Sequence, residues 1–392
     1  MQQNYEHDAD HPLTTALPYF PPEEQEWLAS EFSQILNGML AMGPRVAQFE
    51  RDFATYCGQP LGVAFPSCTS AMEAALLALG VGPGDEVLVP VETFIATGMV
   101  VSLVGARPVF TEISASSFSM DFDDAWSRVT DRTRGAIVVH FGGFISPQLP
   151  AFVERMRASG RFVIEDAAHA PGAELNGKKA GSIGDAGCFS FYPTKIMTTG
   201  EGGMLVTARA DIARTARSLQ LRGRDLDHSE ERYVLPGRNN RFTEVAAAMG
   251  LSQLRCLPEF LASRRRVAAI YDELLLGSEL FMPLLAEDGS VPSYWRYVVM
   301  PTVAIDRVAL RERLAADKIT VDWAYDPPLH LQPVFQQTMG TRPGMLPRSE
   351  SILSRHLCLP VHARMRESDA EFVAQRLLAH LKVIAQTAHQ TS

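Results

Sequence analysis

No stretch of this 392-residue chain approaches the ~18 uninterrupted apolar residues that a membrane helix needs. Its polar, acidic start, MQQNYEHDADHPLTT, lacks the basic-then-apolar pattern of a secretory leader, so a cytoplasmic protein with no membrane partner is expected. Cysteine is scarce. Cys57, Cys68, Cys188, Cys256 and Cys358 are scattered, odd in number and form no C-x-x-C pair, which argues for reduced thiols rather than a disulfide framework. Basic charge is in deficit, with 36 Lys and Arg against 45 Asp and Glu and a net charge of −9. That balance disfavours nucleic acid as a partner, although a small anion stays open because local groups can outweigh the global sign. The ten histidines show no ligand spacing with cysteines and H-E-x-x-H is absent, so no metal is expected. G-x-x-x-x-G-K-[ST] is also absent, and GSIGDAG misses the dinucleotide fingerprint.

What is present is an ordinary globular composition, 46% hydrophobic and 21% charged, in a chain long enough for two or three domains. From about residue 60, helical and strand-like segments alternate. SAMEAALLAL (70–79) and QLPAFVERMRASG read as helices, the second closing at Gly160. EVLVP (86–90), RPVFTEI (107–113), GAIVVHF (135–141), RFVIE (161–165), CFSFY (188–192) and GGMLVTA (202–208) read as strands. Short apolar runs separated by helices predict a mainly parallel sheet covered on both faces. After residue 244 the pattern changes to two long helices expected to meet near Pro258. Val267, Ile270, Tyr271 and Leu274 mark the buried face of the second. YWRYVVMP, helical RVALRERLAADK and a last helix from about 368 then suggest a smaller α+β unit.

In an open parallel sheet, ligands bind beyond the carboxyl ends of the strands. Ser67, Cys68, Thr69 and Ser70 lie just before a helix, Thr93 and Phe94 just after EVLVP, Asp166 after RFVIE and Lys195 after CFSFY. Four separate segments thus deliver polar groups to one edge. The hydroxyls and N–H groups of SCTS suit a phosphate, or simply cap the helix. One of Glu165 and Asp166 has to face inward, where a carboxylate calls for a cation: an arginine, or the protonated ring nitrogen of a cofactor. Lys195 is set among small residues in FSFYPTKIMTTGEGG; in a buried, apolar setting such a lysine loses its proton and acts as a nucleophile, which an exposed one does not readily do. The glycines of that stretch equally serve a tight return into the next strand.

Taken together, these segments resemble the DegT/DnrJ/StrS family of pyridoxal-phosphate-dependent sugar aminotransferases, from about GPRVAQFERDFATYCG (43–58) to LCLPVHARM (357–365). The strongest stretches are ALGVGPGDEVLVPVETFIAT, VIEDAAHAPGAELNGKKAGSIGDAGCFSFYPTKIMTTGEGG and RNNRFTEVAAAMGLSQL. The resemblance implies an α/β fold of PLP-transferase fold type I. Its large domain carries a mainly parallel seven-stranded sheet sandwiched by helices, and a smaller C-terminal α+β domain follows. On this chain that places a flexible tail at 1–17, the large domain at 18–255 and the small domain at 256–392.

It also implies roles. Lys195 holds pyridoxal 5'-phosphate as a Schiff base and moves the proton during transamination, with pyridoxamine 5'-phosphate as the intermediate form. Asp166 pairs with the pyridinium nitrogen, His169 lies near the ring hydroxyl and Phe94 stacks on the ring. Cys68, Thr69 and Ser190 bind the phosphate, as does Asn239 from the partner subunit of a homodimer with shared active sites. Arg222, Arg241 and His330 are carried over as substrate contacts. The implied reaction moves an amino group from glutamate or glutamine to a keto group of a nucleotide-linked deoxysugar. Amination of a cyclitol or another non-nucleotide ketone, a dehydration or aromatisation on the same scaffold, and a non-catalytic regulatory role stay open. Three positions depart from the family pattern. Cys68 replaces the glycine of Ser-Gly-Thr, Gln220-Leu221-Arg222-Gly223 replaces Arg-Asn-His-Gly, and Asn240 replaces an aromatic.

Overall fold

Alternation of apolar runs with helices produces the expected sheet in the computed structural model, which describes residues 13–390, with side chains to 384. Seven strands form it: β1 (Leu61–Phe65), β2 (Glu86–Pro90), β3 (Arg107–Thr111), β4 (Thr133–Val139), β5 (Phe162–Asp166), β6 (Ala186–Ser190) and β7 (Gly203–Thr207). Their order is β1-β7-β6-β5-β4-β2-β3. β2, β3, β4, β5 and β6 run parallel, and β7 is antiparallel to both β6 and β1. β2, β5, β6 and β7 are buried at every position, as strands covered on both faces must be. Every strand edge read from the sequence lies within a few residues of its place. Helix ends agree similarly, with Gly160 at φ 75° just beyond the helix Leu149–Ala158.

The region after 244 differs from expectation. Glu244–Leu276 is one continuous helix of 33 residues that carries Pro258 inside it. Proline removes one backbone donor and crowds the preceding turn. Here the helix is held from outside by packing against the helices Pro22–Ile35, Pro44–Tyr56 and Glu367–Gln390. Its buried face is Arg264, Val267, Ala268, Tyr271 and Leu275, with Ile270 and Leu274 only half-buried. At its start, the Glu244 carboxylate accepts the N–H groups of Gly43, Arg45 and Val46 at 3.0, 3.1 and 2.9 Å. That caps the helix Pro44–Tyr56, whose own N-cap, Gly43, has no side chain to do so.

A three-stranded antiparallel sheet of Phe281–Pro283, Tyr297–Pro301 and Leu357–Leu359 lies in the C-terminal part. The proposed boundary at 255/256 falls within the continuous helix. Of the expected N-terminal tail, residues 1–12 lie outside the described residues. From Leu13 onward the chain is docked rather than free. Leu13 is buried and bridges to Ile319, and Thr15 Oγ1 donates to Asp322 at 2.7 Å. No helix among the described residues is long and apolar enough to cross a membrane.

Candidate active site

The carboxyl ends of the parallel strands open into a cavity of about 620 Å³. Cys68, Thr69, Phe94, Asp166, His169, Ser190 and Lys195 all line it, so seven positions from four segments of the sequence meet there. Ser67, extended at φ −159°, ends the approach from β1, and its hydroxyl accepts the Ser70 N–H at 3.1 Å. The helix Cys68–Ala78 therefore directs its N-terminus, with free N–H groups and a positive dipole end, at the cavity. Phe94 caps the helix Ile95–Leu103 and exposes its ring to the cavity, 6.0 Å from the ring of Tyr325.

Glu165 and Asp166 are both buried, because consecutive strand residues point to opposite faces. Glu165 belongs to the scaffold. It shares a 2.8 Å hydrogen bond with His140 and accepts N–H groups from Gly181, Ile183 and Gly184. Burial pushes its pKa up, but His140 and the backbone donors more than offset this and hold it below the ordinary value.

Asp166 belongs to the site. Its Oδ2 accepts the Thr97 hydroxyl at 2.8 Å and its Oδ1 the Ala168 N–H at 3.2 Å. The Cys68 thiol lies 3.9 Å from Oδ1. Thr93 Oγ1 is 2.7 Å from Thr97 Oγ1, and since Thr97 spends its proton on Asp166, Thr93 is the donor. Burial raises the Asp166 pKa against the lowering effects of Thr97, Ala168 and Lys195. Among the described residues Asp166 has no ion pair, so a buried acid faces the cavity with its demand for a cation unmet. The Cys68 thiol is pushed up by burial first and by the Asp166 charge next, and stays protonated.

Lys195 sits on a loop stapled at both ends. Its N–H donates to the Tyr192 carbonyl at 2.9 Å, and the Thr199 N–H and Thr198 hydroxyl both return to the Phe191 carbonyl. Gly200, at φ 79°, turns the chain back toward β7. Gly203 is required for another reason: a Cβ there would sit 2.3 Å from the Ser67 carbonyl carbon and 2.4 Å from the Cys68 nitrogen. Lys195 Nζ lies 4.5 Å from the Trp295 ring centroid. Burial brings its pKa from 10.5 down to about 8, with Asp166 and Cys68 pulling it up and Arg296 pushing it further down.

His169 stacks on Trp295 at 3.6 Å and 10°, and shares a 2.8 Å hydrogen bond with the Tyr325 hydroxyl. Burial first, then the charges of Lys195 and Arg296, keep its ring neutral. Its Nδ1 is buried without a partner. Thr97, Trp295, Arg296 and Tyr325 complete the cavity and were missed from the sequence. Only Thr97 left a signal there, as a second threonine hydroxyl in the first turn of the helix Ile95–Leu103, close in sequence to Thr93 just before it.

Three expected contacts do not reach this cavity. His330 is buried with Nε2 3.0 Å from Glu350, and lines a separate cavity of about 170 Å³ beside β3. Arg222 is exposed at φ 68° and pairs with Glu231, while Arg241 is exposed and donates to Asn239 at 3.0 Å. Asn239 itself lies on the same exposed segment, bridged to Leu221 and clear of its own cavity. Gln220, at the altered loop, is fully buried and donates to the Ala64 carbonyl, so that departure serves the scaffold.

The model of the DegT/DnrJ/EryC1/StrS aminotransferase family matches residues 22–378. GDP-perosamine synthase of Caulobacter vibrioides is 37% identical over 344 residues, covering 86% of this chain and 90% of that protein. The crystal structure of the aminotransferase TlmJ from Streptoalloteichus hindustanus superposes with a TM-score of 0.86 at 32% identity, covering 95% of this chain and 99% of the other. The putative sugar aminotransferase Spr1654 of Streptococcus pneumoniae, solved in a PMP-form, superposes with a TM-score of 0.88 at 28% identity, covering 95% and 100%.

Proposed function

Because this chain belongs to the DegT/DnrJ/EryC1/StrS aminotransferase family, we propose that it moves an amino group from glutamate or glutamine to a keto group of a nucleotide-linked sugar, using pyridoxal 5'-phosphate. One observation carries the assignment: a lysine amine brought down to about 8 shares a cavity with a buried carboxylate that lacks a cation. The substrate class rests on relatives that act on nucleotide sugars, GDP-perosamine synthase among them.

When bound, pyridoxal 5'-phosphate supplies a carbonyl that takes up an amine and a ring that withdraws electrons from the neighbouring carbon. The residues present fit it. Asp166, fixed by Thr97 and Ala168, is the partner for a protonated ring nitrogen. The N–H groups at the start of Cys68–Ala78, with the Ser190 hydroxyl, would hold the phosphate. Phe94 and His169, which line the same cavity, would flank the ring. Lys195 Nζ, brought down to about 8, would both receive and return the proton at the reacting carbon.

A second copy of the chain completes this assignment. Leu36, Met39 and Leu40 lie mostly exposed near the N-terminal helices, and Tyr233, Val234 and Leu235 are exposed on the segment that carries Asn239. Apolar side chains in such numbers on the surface suit a homodimer in which Asn239 serves the neighbouring cavity. The unpaired cysteines suit a cytoplasmic setting.

The test uses purified protein loaded with the cofactor. A visible absorption band that shifts on adding glutamate, and an amino-sugar product from a keto-sugar nucleotide, are expected; Lys195→Ala loses both. A dehydrated product, or full turnover by Lys195→Ala, overturns the assignment.

A further inference from the structure

Arg296 is a buried guanidinium with too little negative charge around it. It is 6% exposed, lines the cavity that holds Lys195, and places Cζ 4.0 Å from the Trp295 ring centroid. Nη1 donates to the carbonyl oxygens of Thr15 at 2.6 Å and Trp295 at 3.3 Å. Nη2 stands 3.5 Å from Asp322 Oδ2, and that oxygen already accepts the Thr15 hydroxyl at 2.7 Å. A charge-assisted hydrogen bond is shorter, at about 2.7–2.9 Å. Among the described residues the Nε of Arg296 is buried without a partner, and so is Asp322 Oδ1.

A second guanidinium deepens the imbalance. Among the described residues Arg264, 2% exposed, meets the carbonyl oxygens of Tyr294 and Val361 and no carboxylate. Burial, and then repulsion from Arg296, bring its pKa down to about 9. Two buried cations thus repel each other, and among the described residues only Arg296 has a carboxylate within ion-pair distance, Asp322 at 3.5 Å. Charge left unpaired at such depth is costly, and of the two guanidiniums it is Arg296 that lines the cavity.

We infer that Arg296 receives the α-carboxylate of the amino-acid donor. Lys195 and Arg296 both lie over the Trp295 ring, so a ligand at this wall meets the amine and the guanidinium within one small molecule's span. In an amino acid the α-carboxylate is bonded to the carbon that reacts. In a sugar nucleotide the phosphates stand a sugar ring away from the keto carbon. The carboxylate is the anion that fits. Arg296 is then a specificity residue of the donor half-reaction, held in aim by Thr15, Asp322 and Trp295.

The inference rests on the aminotransferase assignment, and the test separates the two. Cofactor-loaded protein is titrated at equilibrium with L-glutamate, with L-glutamine (γ-amide) and with L-isoglutamine (α-amide), following the visible band. Wild type is expected to respond to glutamate and glutamine at much lower concentration than to isoglutamine. Arg296→Gln should raise the half-saturation for the first two by roughly tenfold or more, the loss of a charge-assisted pair, and leave isoglutamine within about twofold. Arg296→Lys, which keeps the charge without the planar fork, should fall between. An unchanged band before donor addition shows that the variants retain the folded, loaded site. Equal weakening of all three donors, or unchanged discrimination against isoglutamine, overturns the role of Arg296 alone. A wild-type band that no amino acid shifts overturns the aminotransferase assignment, and this inference with it.

Discussion

The Lys195 amine is expected to titrate apart from the surface lysines, and Asp166→Asn is expected to move it further away. Its pKa stands at about 8 rather than 10.5, because burial and the Arg296 charge disfavour the ammonium more than Asp166 and Cys68 favour it. At pH 7.5 a group of pKa 8 is about one-quarter neutral, against about one part in a thousand for pKa 10.5, a gain of roughly two hundredfold in nucleophilic amine. The sign follows from the direction of the shift: the amine is protonated below about 8 and free above it. Competitive acetylation of the cofactor-free protein at graded pH, read by mass spectrometry of the Lys195 peptide, measures this directly. Labelling of Lys195 should rise through pH 8, well before the exposed lysines. Asp166→Asn removes the largest influence that favours the charged form, so the midpoint should drop further. A midpoint shared with the surface lysines, or an upward move in Asp166→Asn, would refute the electrostatic account of the site.

Other perturbations test the scaffold that holds these groups. Glu244→Ala leaves three N–H groups of Gly43, Arg45 and Val46 without their acceptor; a loss of roughly 2–4 kcal/mol is expected in urea unfolding, with the slope unchanged. Glu165→Gln should be less stable than wild type at pH 7. Because the Glu165 pKa is held below 4.5, its contribution is present above that value and lost as pH falls through the lower folded value. The gap between variant and wild type should therefore close in acid, and a constant gap would sink the argument. Gly203→Ala drives a methyl into the backbone of Ser67 and Cys68. A stability loss of about 1–3 kcal/mol is expected, with weakened cofactor binding in a direct titration.

The strands and their carboxyl-edge residues were legible because both rest on local pattern: apolar runs mark buried strands, and polar residues just after them mark the ligand edge. Direction was less so. β7 runs against its neighbours, and alternation of apolar runs carries no sign for that. Pro258 read as a break from its own chemistry, yet packing by three helices keeps Glu244–Leu276 continuous. Trp295, Arg296 and Tyr325 join the cavity from 100 residues or more beyond Lys195, where no local spacing says which wall they will line. His330 carries no local sign of which cavity it lines, and its pairing with Glu350 holds it beside β3.

The clasp between Glu244 and the helix Pro44–Tyr56 also has an order in time. Gly43 and its cap are 201 residues apart, so a ribosome delivers the helix long before the carboxylate that closes its end. β1 waits similarly, since its sheet neighbour β7 begins at residue 203. The N-terminal third of the nascent chain therefore emerges with an uncapped helix and an unpaired strand. Its assembly is a late event of synthesis, and the same residues that finish it, from Ser190 to Glu244, are those that carry Lys195 into place.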